Sequence, residues 1–377
     1  MVVTRRVARA AQESHGNGAA PETDADALKR AAREEASRAP SRRRPRGKSV
    51  TRPIPEAVME TLDRLLHYRE IPPFLQDNPF IHGGYRPVTT VKSAFRSVFK
   101  IHNETLNIWT HLAGCLWFFV LTCTFAVSGP TELYERAVPT FHRMHEILIA
   151  RVVRMDREWW TVHRWPVFLY MAAVCLCLSL SSLCHSLYCC AQHVSDFMWQ
   201  FDYLGITTLI VASKVPVFYY GFACEPNWRI LYLSISAAMG ALGVALSVVP
   251  FFRKPGLHTM RAVCYIGMGV WGAAPAIHFL MLHLHDPENS GWEHVRSAFH
   301  LIVAQGAIYI LGAVFYAGRI PERFFPGKFD IVGHSHQIFH VAVVLAAFVH
   351  YEAVVLLLHW RETHGCPEFG PGAMRPR

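Results

Sequence analysis

Three histidines, a carboxylate and a serine in this chain have the types and spacing for metal chemistry. His336 and His340 stand four apart in FDIVGHSHQIFH (329–340), at the head of an apolar run that continues VAVVLAAFVHYEAVVLLLHW. On a helix, such a pair points both rings the same way. His185 lies in SLSSLCHSLYCC and Asp202 in FMWQFDYLGI, each near an end of another apolar run. Neutral imidazoles suit zinc, and three protein ligands leave a fourth position to water, the catalytic rather than the structural pattern. A zinc ion lowers the pKa of its water to about 7. Asp202 could take that water's proton or orient a ligand imidazole. Ser181, four before His185 on the same face, could hydrogen-bond the water or a developing oxyanion. Each residue also has a plainer reading. A lone membrane histidine bonds a neighbouring helix, Ser181 its own helix, and Asp202 caps an interface. Cys189, at i+4 from His185, would close the site as a structural one. His334 points off the His336/His340 face, and His350 lies about 15 Å beyond His340 along the helix. His278, His283 and His285 cluster towards the opposite side.

The elements that must position these residues are membrane spans. The chain has 377 residues, 52% hydrophobic and 17% charged. The apolar residues gather after Ile108 in blocks of roughly 20, the length that crosses a bilayer core as a helix. Seven blocks are predicted: 108–128, 166–189, 203–222, 229–251, 259–281, 297–318 and 336–359. The fold class is therefore all-α, a seven-helix transmembrane bundle over 108–360. By parity, the end of the second span and the starts of the third and seventh share one side. His185, Asp202, His336 and His340 then meet at similar depth, where ionisable groups point to function.

Residues 1–53 are rich in Ala, Arg, Ser, Pro and Glu, include SRRRPRGK, and read as a disordered basic tail. They hold no hydrophobic stretch of the kind a signal peptide needs. Residues 1–107 carry 19 Lys and Arg against 12 Asp and Glu, so most of the net +9 belongs to this end. Basic runs also occur in nucleic-acid binders, but beside seven spans this one reads as a cytosolic tail near anionic lipid, with no nucleic-acid partner. Residues 54–107 form a juxtamembrane segment. Val58, Leu62, Leu65 and Leu66 predict a short helix there, stopped by Pro72–Pro73, followed by extended chain. Asn103-Glu-Thr matches a glycosylation sequon but falls on the cytosolic side, where it would go unused. The long first connection, 129–165, predicts an amphipathic helix from Phe141 to Trp159. Residues 361–377 are a short tail. Lys and Arg in the loops place the N-terminus in the cytosol and the C-terminus outside or in a lumen, although the first connection carries six arginines on the far side. The ten cysteines show no CxxC pair and suggest no disulfide framework.

The motifs SVFKIHNETLNIWTHL, SSLCHSLYCC, FDYLGI, PERFFPGKFDI and SHQIFHVAVVLAAFVHY resemble the adiponectin and progestin receptor family, also called haemolysin III-related proteins. PPFLQDNPFIHGGYR and FDIVGHSHQIFHV look most like its plant heptahelical branch. The resemblance covers roughly residues 65–360. It implies Zn2+ held by His185, His336 and His340 with water as fourth ligand, and Asp202 and Ser181 beside the metal. It is also similar to the alkaline ceramidases. Two functions follow as expectations: a receptor for an outer-face ligand, and an amidohydrolase acting on a ceramide-like lipid of the bilayer. The two are compatible if the receptor signals by gating hydrolysis; a lipid sensor with purely structural zinc is the third reading. The plant-like motifs argue against adiponectin itself as the ligand.

Overall fold

A computed structural model describes residues 64–127, 162–253, 258–284 and 291–366. The basic tail, positions 58 and 62 of the expected juxtamembrane helix, and the amphipathic helix of the first connection lie outside the described residues. The part of the juxtamembrane helix that is described is not helical. Leu66 forms an isolated antiparallel bridge with Tyr85 instead. Its neighbour Leu65 is exposed. Ile71, Leu75, Ile81 and Tyr85 bury against Leu187, Tyr188, Cys189 and Met198, and form a cap across one end of the bundle. That tertiary burial outweighs the weak local helical stripe.

After the cap come a short helix α1 (Val91–Ser97) and then the spans: α2 (Thr105–Val127), α3 (Trp165–Leu187), α4 (Gln192–Gly221), α5 (Pro226–Val248), α6 (His258–Val270) with α7 (Ala273–Leu284), α8 (Trp292–Gly318) and α9 (Ser335–Thr363). The described residues contain seven helical stretches long and apolar enough to cross a membrane, α6 and α7 together supplying the fifth. They contain no β-strand.

Two spans depart from expectation. The third begins at Gln192, not 203, so Asp202 lies about three turns inside its helix rather than at the start. The polar residues of QHVSDFMWQ hid those turns from a count based on hydropathy, yet helices continue past the hydrocarbon when their backbone bonds are met. The fifth is broken at Trp271–Gly272. Pro275 explains the break: a proline clashes with the carbonyl four residues back, here that of Trp271.

Packing is dictated where side chains are smallest. A Cβ on Gly205 would stand 3.0 Å from the Cys177 Cα, so α3 and α4 touch backbone to backbone there. The helices are antiparallel, so one turn further the same contact brings Ser181 level with Asp202. α9 is the most enclosed span, with Ala347, Val354 and Leu357 fully buried. Tyr170 of α3 donates to the Ala347 carbonyl at 2.6 Å.

The cysteines hold one surprise. Cys224, just after α4, is disulfide-bonded to Cys366, just after α9, with Cα atoms 5.4 Å apart. The bond closes 142 residues. Parity puts both cysteines on one side of the bundle, but nothing local in the sequence pairs them.

Candidate metal centre

His185 sits in the last turn of α3, where the final carbonyls of a helix lack intrahelical partners. Arg86 of the cap supplies them: its Nη2 donates to the His185 carbonyl at 2.6 Å and its Nη1 to that of Ser186 at 3.0 Å. The other end of the site is held as firmly. α9 starts at Ser335, and the buried Glu322 carboxylate accepts from the Ser335 backbone N–H at 2.8 Å and from its hydroxyl. A carboxylate at a helix N-terminus meets both orphan N–H groups and the helix dipole. Asn78 of the cap donates to the same carboxylate at 3.1 Å. The first turn of α9 therefore presents His336 and His340 from a fixed origin.

The three imidazoles converge. One ligand nitrogen from each of His185, His336 and His340 lies within 4.8 Å of the other two. The Nε2 atoms of His185 and His336 are 3.1 Å apart. Two nitrogens about 2.0–2.1 Å from one tetrahedral zinc stand roughly 3.3 Å apart, so this edge already has the spacing of a loaded site. His185 and His340 are buried and His336 half-buried.

Two of the outward nitrogens are also committed. His185 Nδ1 is 2.7 Å from the Glu104 carboxylate. His340 Nδ1 is 3.0 Å from the Asn107 carbonyl. Both acceptors fix Nδ1 as the protonated nitrogen and leave the Nε2 lone pair for the centre. Asn107 Nδ2 donates to Glu104 at 2.6 Å, so the two supports are themselves linked. The donor set therefore fits zinc. His111 stacks on His340, ring centroids 3.7 Å apart, with both of its nitrogens buried and without a hydrogen bond among the described residues.

The expected helpers divide. Asp202 faces Ser181 and lies within electrostatic reach of His185. It does not orient that imidazole, because Glu104 does. Cys189 stays out of the triad: its thiol turns to the Ser186 carbonyl, so among the described residues no fourth protein ligand closes the site. His334 bonds the Asn103 carbonyl, His350 the Ser213 carbonyl and His278 the Tyr232 hydroxyl, all away from the centre. His285 lies outside the described residues. Asn103 is buried, which keeps a glycan from its side chain. Glu104 and Asn107 were missed because both belong to HNETLNIW, read as a sequon and the approach to a span. A carboxylate within one turn of an apolar run was the available signal.

Comparison with known proteins gives the family. Residues 99–351 match the model of the family described as Haemolysin-III related. Heptahelical transmembrane protein 4 of Arabidopsis thaliana is 34% identical, over 83% of this chain and 97% of its own length. Heptahelical transmembrane protein 1 of the same plant is 35% identical, over 80% and 83%. The adiponectin receptor protein of Drosophila melanogaster is 35% identical, over 81% of this chain and 62% of its own.

Proposed function

Because this chain belongs to the Haemolysin-III related family, we propose that it is a multi-pass membrane receptor that holds one zinc ion on His185, His336 and His340 and signals by hydrolysing a ceramide-like amide lipid. The observation that carries the reading is the triad with its 3.1 Å nitrogen pair and no protein ligand in a fourth position among the described residues. Zinc bound there would supply Lewis-acid activation of water near neutral pH. The chain's own groups do the rest. Glu104 and the Asn107 carbonyl hold two imidazoles in the tautomer that faces the centre. Asp202, buried beside Ser181, takes a proton from the attacking water and returns it to the amine leaving group. Ser181 holds the Asp202 carboxyl in place.

The receptor half of the reading has its own support. Arg86 ties the cap directly to the backbone of a ligand residue, and Asn78 ties it to the carboxylate that starts α9. On this reading a shift of α3 or α9 at the metal is passed to the cap, and the cap faces the cytosol.

The test has two steps. Elemental analysis of gently purified protein is expected to give one zinc per chain, lost in His336→Ala and His340→Ala. Ceramide turnover per zinc-loaded molecule is then expected to fall about 10²–10⁴-fold in Asp202→Asn, with zinc and fold retained. A wild-type protein without chelator-sensitive turnover of any amide lipid would end the hydrolase reading and leave the receptor. Turnover at the wild-type rate in Asp202→Asn would end the acid–base role.

A further inference from the structure

A second polar centre lies about 15–18 Å further along α4 and α9, by helix rise. Lys214 sits within α4, only 8% exposed. Its Nζ donates to the Met268 carbonyl at 2.6 Å. That carbonyl is free because the fifth span is broken: the Gly272 N–H, its partner in a continuous helix, turns to Gly269 instead. An ammonium carries three donors, and the other two have no partner among the described residues.

Its surroundings are short of partners too. A Cβ on Gly243 would meet Thr207, and one on Gly240 would meet Val211. That antiparallel register places Ser236 of α5 level with Lys214. Ser236 is buried and its hydroxyl has no hydrogen bond among the described residues. The indole Nε1 of Trp271, at the break, is buried without a partner among the described residues. Next to it, a Cβ on Gly272 would stand 3.5 Å from Lys214 Cε. His350 uses Nε2 on the Ser213 carbonyl and leaves Nδ1 as an unmet acceptor among the described residues. No carboxylate forms an ion pair with Lys214 among the described residues. Glu352, two residues after His350 on α9, lies about 200° further round that helix.

The unmet donors are two ammonium N–H groups, the Ser236 hydroxyl and the Trp271 indole; the unmet acceptors are His350 Nδ1 and the Ser236 oxygen, and among the described residues no ion pair compensates the positive charge. Water alone could bridge some of these groups but would leave the charge uncompensated in a low dielectric. We propose that Lys214, Ser236 and Trp271 form an intramembrane binding site for a small monovalent anion of chloride size, separate from the histidine centre.

The test uses the full chain in detergent. Equilibrium dialysis with radiolabelled chloride should give about one ion per wild-type chain and none in Lys214→Met. The thermal midpoint should rise with chloride at constant ionic strength, gluconate being the balancing salt, because a ligand that binds only the folded state stabilises it. That rise should vanish in Lys214→Met. Absence of bound chloride in wild type overturns the proposal and leaves Lys214 as a neutral amine; equal binding by Lys214→Met overturns it as well. Should Lys214→Met not fold, Ser236→Ala carries the test. Loss of one hydrogen bond to a charged ligand should weaken chloride binding about tenfold or more, and an unchanged affinity overturns the proposal. Zinc content should be unaffected in either variant.

Discussion

The Nδ1 of His185 had two carboxylates within reach, Asp202 expected from its sequence position and Glu104 found. The difference decides what each acid can do. A carboxylate bonded to a ligand imidazole raises its basicity and fixes its ring, and its loss typically costs 10–100-fold in metal affinity. Glu104→Gln keeps the shape and an acceptor but removes the charge. Its zinc affinity, read by competition with a chelator of known strength, is expected to fall by about that factor, while Asp202→Asn leaves affinity near wild type. The reverse order would mean that Asp202, not Glu104, supports the ligand. A second residue in the same motif sets a pH dependence. His102 is fully buried, and burial, with the nearby Arg86 charge second, lowers its pKa to about 4. It bonds the Ser97 carbonyl at 3.1 Å and accepts from the Glu104 N–H at 3.1 Å. The folded value lies below the unfolded value of about 6.5, so unfolding takes up a proton between them. The stability of the cap is therefore full above about pH 6.5 and is lost as pH falls towards 4. Hydrogen exchange of residues 97–105 across that window should show the loss, and His102→Gln should flatten it.

Seven elements were legible in the sequence because apolar length is a one-dimensional property, and the triad was legible because parity converts an ordered list of spans into two sides. What was not legible needed contact between spans. The expected start of the third span ignored three helical turns held by packing on the cap, and the fifth span was expected as one block, 259–281, although Pro275 breaks it. The helix ends show the same limit. Arg86 caps α3 from the cap segment, and Arg361 of α9 caps α4 by donating to the Tyr220 carbonyl at 2.7 Å and to that of Gly221 at 3.1 Å. Neither pairing has a local signature. Gly205 does, but only as a small residue in a span. Its contact with Cys177 sets the level of Asp202 against Ser181, so Gly205→Ala is expected to overpack a backbone contact at about 1–3 kcal/mol. Lipid turnover should fall more than zinc content, since the ligands come from other contacts. Gly306 of α8 is the control, with nothing within 4 Å of a Cβ: Gly306→Ala should be neutral or stabilise by up to about 1 kcal/mol. Equal effects at both sites would remove the role assigned to the α3–α4 contact.

At the scale of the molecule, the bundle is fastened differently at its two ends. One end holds the histidines, the cap and the carboxylate that starts α9; the other holds the Cys224–Cys366 bond between the ends of α4 and α9. Disulfides persist in oxidising compartments and are rare where glutathione keeps thiols reduced. An orientation with the basic N-terminal side in the cytosol, as Lys and Arg in the loops suggest, would place this bond on the opposite, oxidising side. In a random coil a link closing 142 residues would contribute about 5 kcal/mol. Spans that stay threaded through the bilayer when packing is lost already restrict the chain, so the effect should be smaller: Cys224→Ser is expected to lower the thermal midpoint modestly while leaving zinc in place at the other end. Orientation has a sharper test. In sealed vesicles whose outer face exposes a tag at Met1 to protease, a membrane-impermeant reductant should leave the disulfide closed until detergent is added. Maleimide labelling of Cys224 and Cys366 after that treatment reports which occurred. Labelling without detergent would put both termini on one side. An odd number of spans forbids that, so the result would overturn the span count.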